Sequence, residues 1–400
     1  MGLDEKPGIR SMKSSKETME ALVIVVGGGP SGAMAARQLA LAGVETVLIE
    51  KAALPRDKPC GGGLSAKAAD LLGPGLWPPG ARRLEGAVIV LKDGGDPLIV
   101  KAREDLPVGW VVKRREMDQS LLAAARGAGA RVVTGEKVLG IEREGRWLRV
   151  STSCGTYRGE WVIGADGVGS AVGRWLRGEP PWERLPALVA EVEGGGGVLG
   201  LEEGWSLFDF TAVPWGYGWI FPREQGFSVG VASMRRVPDL ASRFWRFVRD
   251  RTDKACHERI RPRGHLVPRG GRSSRLWGRG VILVGDAAGL ADPFHGEGIP
   301  FAIKSGMAAA DCLASVLRGD SANPSAYGTW VRRFVDLPFR FGRVLSWLFY
   351  RDPAAVDRLV RASPGAAVWI QRWMAGSVSY QDLMWGLLKR APRLLRRLHA

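Results

Sequence analysis

Glycines at Gly27, Gly29 and Gly32 form the spacing G-x-G-x-x-G directly after an apolar run at residues 22–26. In that setting Gly27 permits a tight turn, Gly29 lets backbone approach a pyrophosphate, and Gly32 allows a helix to pack closely on a strand. Glu50 lies 18 residues beyond Gly32, where a carboxylate can accept hydrogen bonds from an adenosine ribose. Two more acids follow apolar runs in the same manner, Asp166 in Gly164-Ala165-Asp166-Gly167 and Asp286 in Gly285-Asp286-Ala287-Ala288-Gly289. Asp166 is thereby a ligand-site candidate. Asp286 can bind sugar-like hydroxyls, and the amides near Gly298 and Ile299, at the start of a further helix, can stabilise negative charge on a bound ring. Cys60 sits among the permissive glycines Gly61, Gly62 and Gly63, as a small filler or as a thiol facing a flat ligand.

The elements that must position these residues follow from periodicity. Residues 22–26 and 44–49, the latter closing on Glu50 and Lys51, have the β-branched composition of buried strands, and an Ala-rich helix over 33–42 joins them into a βαβ unit. The segment 56–64, with its run of glycines, predicts neither helix nor strand, with a helix from Ser65. A helix opens near Glu116 and runs through Ala125; a strand follows at 131–134, and 138–141 with 147–150 reads as a β-meander inserted into the nucleotide domain before the strand that leads to Asp166. Between Leu185 and His265 alternating aromatics, among them Tyr217, Trp219 and Phe221, predict an antiparallel sheet with one face in a core. A long helix runs to Leu317, and the chain beyond Ala326 reads as helices. Its last stretch, 387–399, mixes leucines with arginines as an interfacial helix or an ordinary terminal helix would.

Composition bounds the partners. The charge of +16 at a pI near 10.2 fits nucleic acid, anionic lipid or a phosphorylated substrate. No zinc-finger or RNA-binding signature is present, so a nucleic-acid partner is not expected. Cys60, Cys154, Cys256 and Cys312 form no C-x-x-C pair, which suggests neither a zinc site nor a disulfide framework, and a reducing cytoplasm is the expected compartment. The first 20 residues alternate lysines with acids and lack the apolar core of a signal peptide, consistent with a mobile tail, and no spanning segment is expected.

The order G-x-G-x-x-G, Lys58-Pro59-Cys60-Gly61-Gly62-Gly63, G-A-D-G, Tyr217-Gly218-Trp219-Ile220-Phe221-Pro222 and G-D-A-A-G followed by G-E-G-I resembles the geranylgeranyl reductase family, a branch of the para-hydroxybenzoate-hydroxylase-type flavoproteins. The resemblance implies an α/β (α+β) architecture. Its expected parts are a discontinuous Rossmann-like FAD-binding domain (21–85, 110–185 and 270–325) and an antiparallel-sheet substrate domain (86–109 and 186–269); the C-terminal helical region (326–400) carries no motif of the family and its role is open. It also implies FAD, with Gly27, Gly29 and Gly32 at the pyrophosphate, Glu50 at the ribose, Arg114 near the phosphates and Asp286 on the ribityl chain. Lys51, Cys60, Gly61, Val138, Asp166, Gly285, Gly298 and Ile299 complete the expected cofactor contacts; no metal is implied.

Tyr217, Trp219 and Phe221 map onto the strand that lines the family's prenyl pocket, and Cys60 is the best visible proton donor for reducing an isolated alkene. One departure is Gly230-Val231-Ala232, where the class usually has G-x-G. The electron donor is left open among NADPH, reduced ferredoxin and a deazaflavin. A membrane-borne prenyl substrate suits a peripheral membrane location. The competing readings are a flavin monooxygenase or halogenase of the same fold and a redox-neutral isoprenoid cyclase.

Overall fold

A computed structural model describes residues 18–179, 183–194, 197–270, 275–363, 365–387 and 389. The larger sheet is built on five parallel strands in the order Val281–Leu283, Thr156–Gly164, Thr18–Val26, Thr46–Glu50 and Arg131–Thr134. Their ends are level: Val26 pairs with Ile49 on one side and Gly164 on the other, and Gly164 pairs with Leu283. Every loop leaving a carboxyl end therefore opens on one edge, and the chain order reverses across Thr18–Val26, which makes the crevice beside it the ligand position of an open α/β sheet. The meander Val138–Glu144 and Trp147–Thr152 is appended antiparallel to Thr156–Gly164.

Two local expectations are corrected. The opening strand begins at Thr18, inside the segment expected to be a mobile tail, because Thr18–Glu20 pairs with Thr156–Arg158 and Glu20 accepts from Arg158; residues 1–17 lie outside the described residues. Gly63 and Leu64, expected to form no element, pair with Trp110–Val111, a partner remote in sequence and invisible to local composition.

The second sheet runs Arg263–Pro268, Arg184–Glu193, Gly226–Ser233, Gly216–Arg223, Trp205–Asp209, Gly86–Val90, Leu98–Lys101. It is antiparallel except for Trp205–Asp209 against Gly86–Val90. Side chains alternate across it. Ile220, Val229 and Val231 pack on Phe244 and Phe247 of the helix Leu240–Arg251, and Gly218 admits the Phe247 ring, since a Cβ there would stand 2.8 Å from it. The other face carries Tyr217, Trp219, Phe221, Ala187 and Val189 and is turned toward the C-terminal helices.

Those helices are Ser325–Val331, Leu337–Arg351, Pro353–Arg361 and Ala366–Met374, the first two joined by a π-helical turn at Arg332–Asp336. The basic stretch 387–399 lies outside the described residues apart from Leu387 and Lys389. One helix among the described residues, Ile299–Leu317, is long and apolar enough to cross a bilayer, yet it packs on the helix Pro30–Leu41 beside the larger sheet. Their approach is set at Gly306, where a Cβ would stand 2.2 Å from the Ser31 carbonyl oxygen. Gly306→Ala is expected to lower stability by roughly 1–3 kcal/mol or more through overpacking, read as a lower denaturant midpoint.

Candidate functional site

Backbone geometry shapes the edge of the larger sheet. Gly27 has φ +106°, and a Cβ there would lie 2.4 Å from the Ala165 carbonyl; one on Gly32 would lie 1.9 Å from the Gly27 carbonyl. The helix Pro30–Leu41 begins at Gly29 with no side-chain cap and no acid in its first turn. The helix Ile299–Leu317 begins at Gly298 in the same condition. Both starts, at Gly29–Ser31 and at Gly298–Ile299, border one cavity of about 700 Å³. Two bare helix N-termini with unspent amides and positive dipole ends favour an anion or an electron-rich ring between them.

Beside them is a buried ionic chain. Glu50, at the tip of Thr46–Glu50, accepts from the Gly28 amide at 2.6 Å and the Ala52 amide at 3.0 Å. Arg56 reaches Glu50 at 3.4 Å and Asp118 at 3.0 Å, and Asp118 receives both ends of the Arg114 guanidinium at 3.0 Å. Burial works against the Arg114 charge, but Asp118 and then Cys60 outweigh it and hold the group firmly protonated. Arg114 also borders the cavity. Arg56 and Asp118 carry no motif, so sequence reasoning missed them; the only available signal was the spacing of four between Arg114 and Asp118 on a helix.

A second cluster surrounds Asp286, whose carboxylate lies 3.7 Å from the Lys58 ammonium. Burial pushes the Lys58 ammonium below the usual lysine range, with Asp286 opposing. His265, facing the same cavity from Arg263–Pro268, is pushed down to about 4, first by burial and then by the Lys58 charge. Glu297 also borders the cavity, accepts from the Ser65 amide at 3.0 Å, and is raised by burial. Lys58, His265 and Glu297 likewise escaped the sequence reading as site residues.

Other candidates fall in different places. The Asp166 carboxylate is engaged by Ser170 Oγ and the amides of Ala171 and Val172, capping the helix Ala171–Arg177, while its neighbours Ala165 and Gly167 border the cavity. Lys51 is exposed, and Val138 is half-buried against the main core; neither borders the cavity. Gly285 takes φ +56° and donates to Ser305 Oγ at 3.0 Å, leaving Asp286 at the edge. Gly61 lies beneath the Trp219 ring, where a Cβ would stand 2.7 Å from Nε1, and its carbonyl accepts from Arg223 at 2.8 Å. The Trp219 Nε1 is buried with no hydrogen-bond partner among the described residues, a donor left for a bound group.

The far part of the cavity is apolar. Tyr217, Trp219 and Phe221 present consecutive rings 5.9 and 6.2 Å apart, and the Tyr217 hydroxyl is held by the His295 carbonyl at 2.6 Å. Ala232, at the departure from G-x-G, pairs with Tyr217 and adds a methyl to this wall. Leu345, Phe349, Val356, Ile370, Trp373 and Met374 from the C-terminal helices close the opposite side. They are anchored by Tyr350 donating to the Phe294 carbonyl at 2.9 Å and Tyr380 to Asp292 at 2.8 Å. The region of open role is thus a cavity wall; its apolar helical pattern signals burial but not against what.

Two outcomes follow from the charged clusters. Asp118→Ala, by leaving Arg56 and Arg114 without their shared carboxylate, is expected to cost about 3–5 kcal/mol, read in denaturant unfolding. His265 binds its proton more weakly folded than unfolded, so its contribution is complete above the ordinary histidine value and declines as pH falls toward about 4. His265→Gln is therefore expected to reduce the loss of stability between about pH 7 and about pH 5, compared by denaturant midpoints.

Comparison with known proteins places this geometry. The FAD binding domain family matches residues 20–179. The menaquinone reductase of Mycobacterium tuberculosis is 34% identical over 317 residues, 73% of this chain and 76% of that protein. The digeranylgeranylglycerophospholipid reductase of Methanothrix thermoacetophila is 32% identical over 323 residues, 76% of this chain and 80% of that protein. In fold, the chain is similar to a geranylgeranyl bacteriochlorophyll reductase-like protein from Thermoplasma acidophilum, with a TM-score of 0.75 and 24% identity, covering 93% of this chain and 100% of that one. FAD fits the site: close-packed glycines, two uncapped helix starts and an indole donor without a partner among the described residues are provided, while the Glu50 carboxylate is taken up by Gly28, Ala52 and Arg56 outside the cavity lining. The chain belongs to the FAD-dependent geranylgeranyl reductase family.

Proposed function

We propose that the protein saturates isolated carbon–carbon double bonds in a long prenyl chain carried by a membrane lipid or quinone. The observation that carries this reading is the continuity of one cavity, from the bare helix starts at Gly29 and Gly298 to the apolar wall of Tyr217, Trp219, Phe221 and the C-terminal helices. A prenyl chain has no polar handle, so it is held by buried apolar area, worth roughly 25 cal/mol per Å². The tilted rings supply that area without demanding a fixed hydrogen-bond pattern.

Bound FAD in its reduced form would supply hydride to one alkene carbon. An unconjugated alkene cannot delocalise the charge that hydride leaves, so a proton must reach the other carbon nearly in step. Cys60 borders the cavity within the Lys58–Gly63 loop, and its Sγ accepts the Gly62 amide at 3.3 Å. Arg114 lies beside it. In this reading Cys60 delivers the proton, and the Gly62 amide with the Arg114 charge steadies the thiolate that remains. Lys58 holds Asp286 toward the ribityl position, while the aromatic wall excludes water from the alkene. NADPH, reduced ferredoxin and a deazaflavin remain the candidate electron donors.

The test is reduction of a prenyl lipid by chemically reduced, FAD-loaded protein, followed by mass spectrometry. The expected product gains two hydrogens per double bond; a product of unchanged mass supports a redox-neutral cyclase instead. Cys60→Ala is expected to retain FAD and slow saturation by about 10²–10⁴-fold, and an unaltered rate would remove Cys60 from the chemistry.

A further inference from the structure

The helix Leu337–Arg351 buries Phe339, Gly342, Leu345, Ser346 and Tyr350 against the protein. A surface helix ordinarily turns charged residues outward on its opposite face. Here that face carries Leu337 (48% exposed), Val344 (49%), Trp347 (42%) and Leu348 (47%), extended backward by Phe334 (53%). The positions 334, 337, 344 and 348 recur at helical spacing and make one outward apolar stripe. No exposed acid interrupts it: Asp336, the sole acid from Ser325 to Arg351, is buried, whereas Arg333, Arg340 and Arg351 are exposed. The Arg333 guanidinium lies 5.3 Å from the Phe334 ring centre and Arg351 5.2 Å from that of Trp347. Apolar side chains pointing outward with arginines draped over aromatic rings suit a boundary between hydrocarbon and phosphate headgroups.

The stripe also meets the cavity. Leu348 belongs to both, and Leu387, 38% exposed, borders the cavity next to the exposed Trp385. A second copy of the chain seated on this face about a two-fold axis would bring its arginines toward the same arginines, with no acid of the stripe itself to relieve the contact; the exposed Asp352 at the helix end is engaged with the Ala355 amide and Arg358. An anionic leaflet offers both the apolar phase and the opposite charge, and the +16 of the whole chain acts in the same direction.

We propose that this face docks on an anionic phospholipid bilayer, with Leu337, Val344 and Trp347 at the acyl boundary, so that the cavity opens beside Leu348 and Leu387 into the leaflet. A prenyl chain then enters without passing through water. The proposal rests on the prenyl-reductase reading for its substrate, but the docking itself is measurable without turnover.

The experiment uses the full-length FAD-loaded protein and two kinds of vesicle, phosphatidylcholine alone and phosphatidylcholine with about a third phosphatidylglycerol. Sedimentation with the anionic vesicles and little with the neutral ones is expected. Leu337→Glu/Val344→Glu and, separately, Arg340→Glu/Arg351→Glu are expected to weaken that binding by about tenfold or more. Both double variants should keep bound FAD and reduce detergent-dispersed prenyl substrate at the parental rate, while losing rate on vesicle-embedded substrate in parallel with binding. Unchanged sedimentation of both variants overturns the proposal, as does a dimer that these substitutions dissociate with no vesicle binding by the parent. A parent that binds anionic vesicles but reduces no dispersed prenyl chain leaves docking standing and brings down the functional reading.

Discussion

The closeness with which the helix Pro30–Leu41 is held controls the rest of the molecule. Its first turn touches the sheet through Gly27 and Gly32 and touches the helix Ile299–Leu317 through Gly306, in each case at distances that leave no room for a methyl group. These contacts bring two helix starts, separated by most of the chain, to the same cavity. Neither start is capped by a side chain, and together they set an electropositive rim that no single basic residue supplies.

Buried charge is arranged around that rim in pairs. Glu50, Arg56, Asp118 and Arg114 form one continuous chain, and Lys58 with Asp286 forms another. Each cation has its carboxylate close by, which is the condition for ionised groups to persist where water is scarce. The loop that carries Cys60 is tied into the second of these chains through its own Lys58, and Cys60 shares the cavity lining with Arg114 of the first as well as with Tyr217, Trp219 and Phe221. Such a lining suits a charged cofactor held against a long apolar group.

Much of this was legible in the sequence because its signals are local. The G-x-G-x-x-G turn and its flanking strands follow from spacing and β-branching, and the alternation through Tyr217, Trp219 and Phe221 from strand period. What was not legible depends on contacts between distant segments. Arg56 and Asp118 gain meaning only when the loop after Glu50 meets the helix Arg114–Gly127, and His265 only when its edge strand is laid beside Arg184–Glu193. Asp166 shows the converse: Gly-x-Asp-Gly announces a turn at a strand end, but a carboxylate there serves equally well to cap the next helix, and Ser170, Ala171 and Val172 show which use it has. The C-terminal helices gave an apolar pattern without a partner until the second sheet supplied one.

The parallel pairing of Trp205–Asp209 with Gly86–Val90 joins segments that flank the middle part of the nucleotide fold, from the helix Arg114–Gly127 to the helix Ala171–Arg177. Likewise the larger sheet gains its strand Val281–Leu283 only after the smaller sheet has received Arg263–Pro268. During synthesis on the ribosome, neither sheet can therefore be completed while the other is still missing from the nascent chain. Long-range strand pairing therefore sets the pace of folding, and no contiguous stretch of chain holds either sheet by itself.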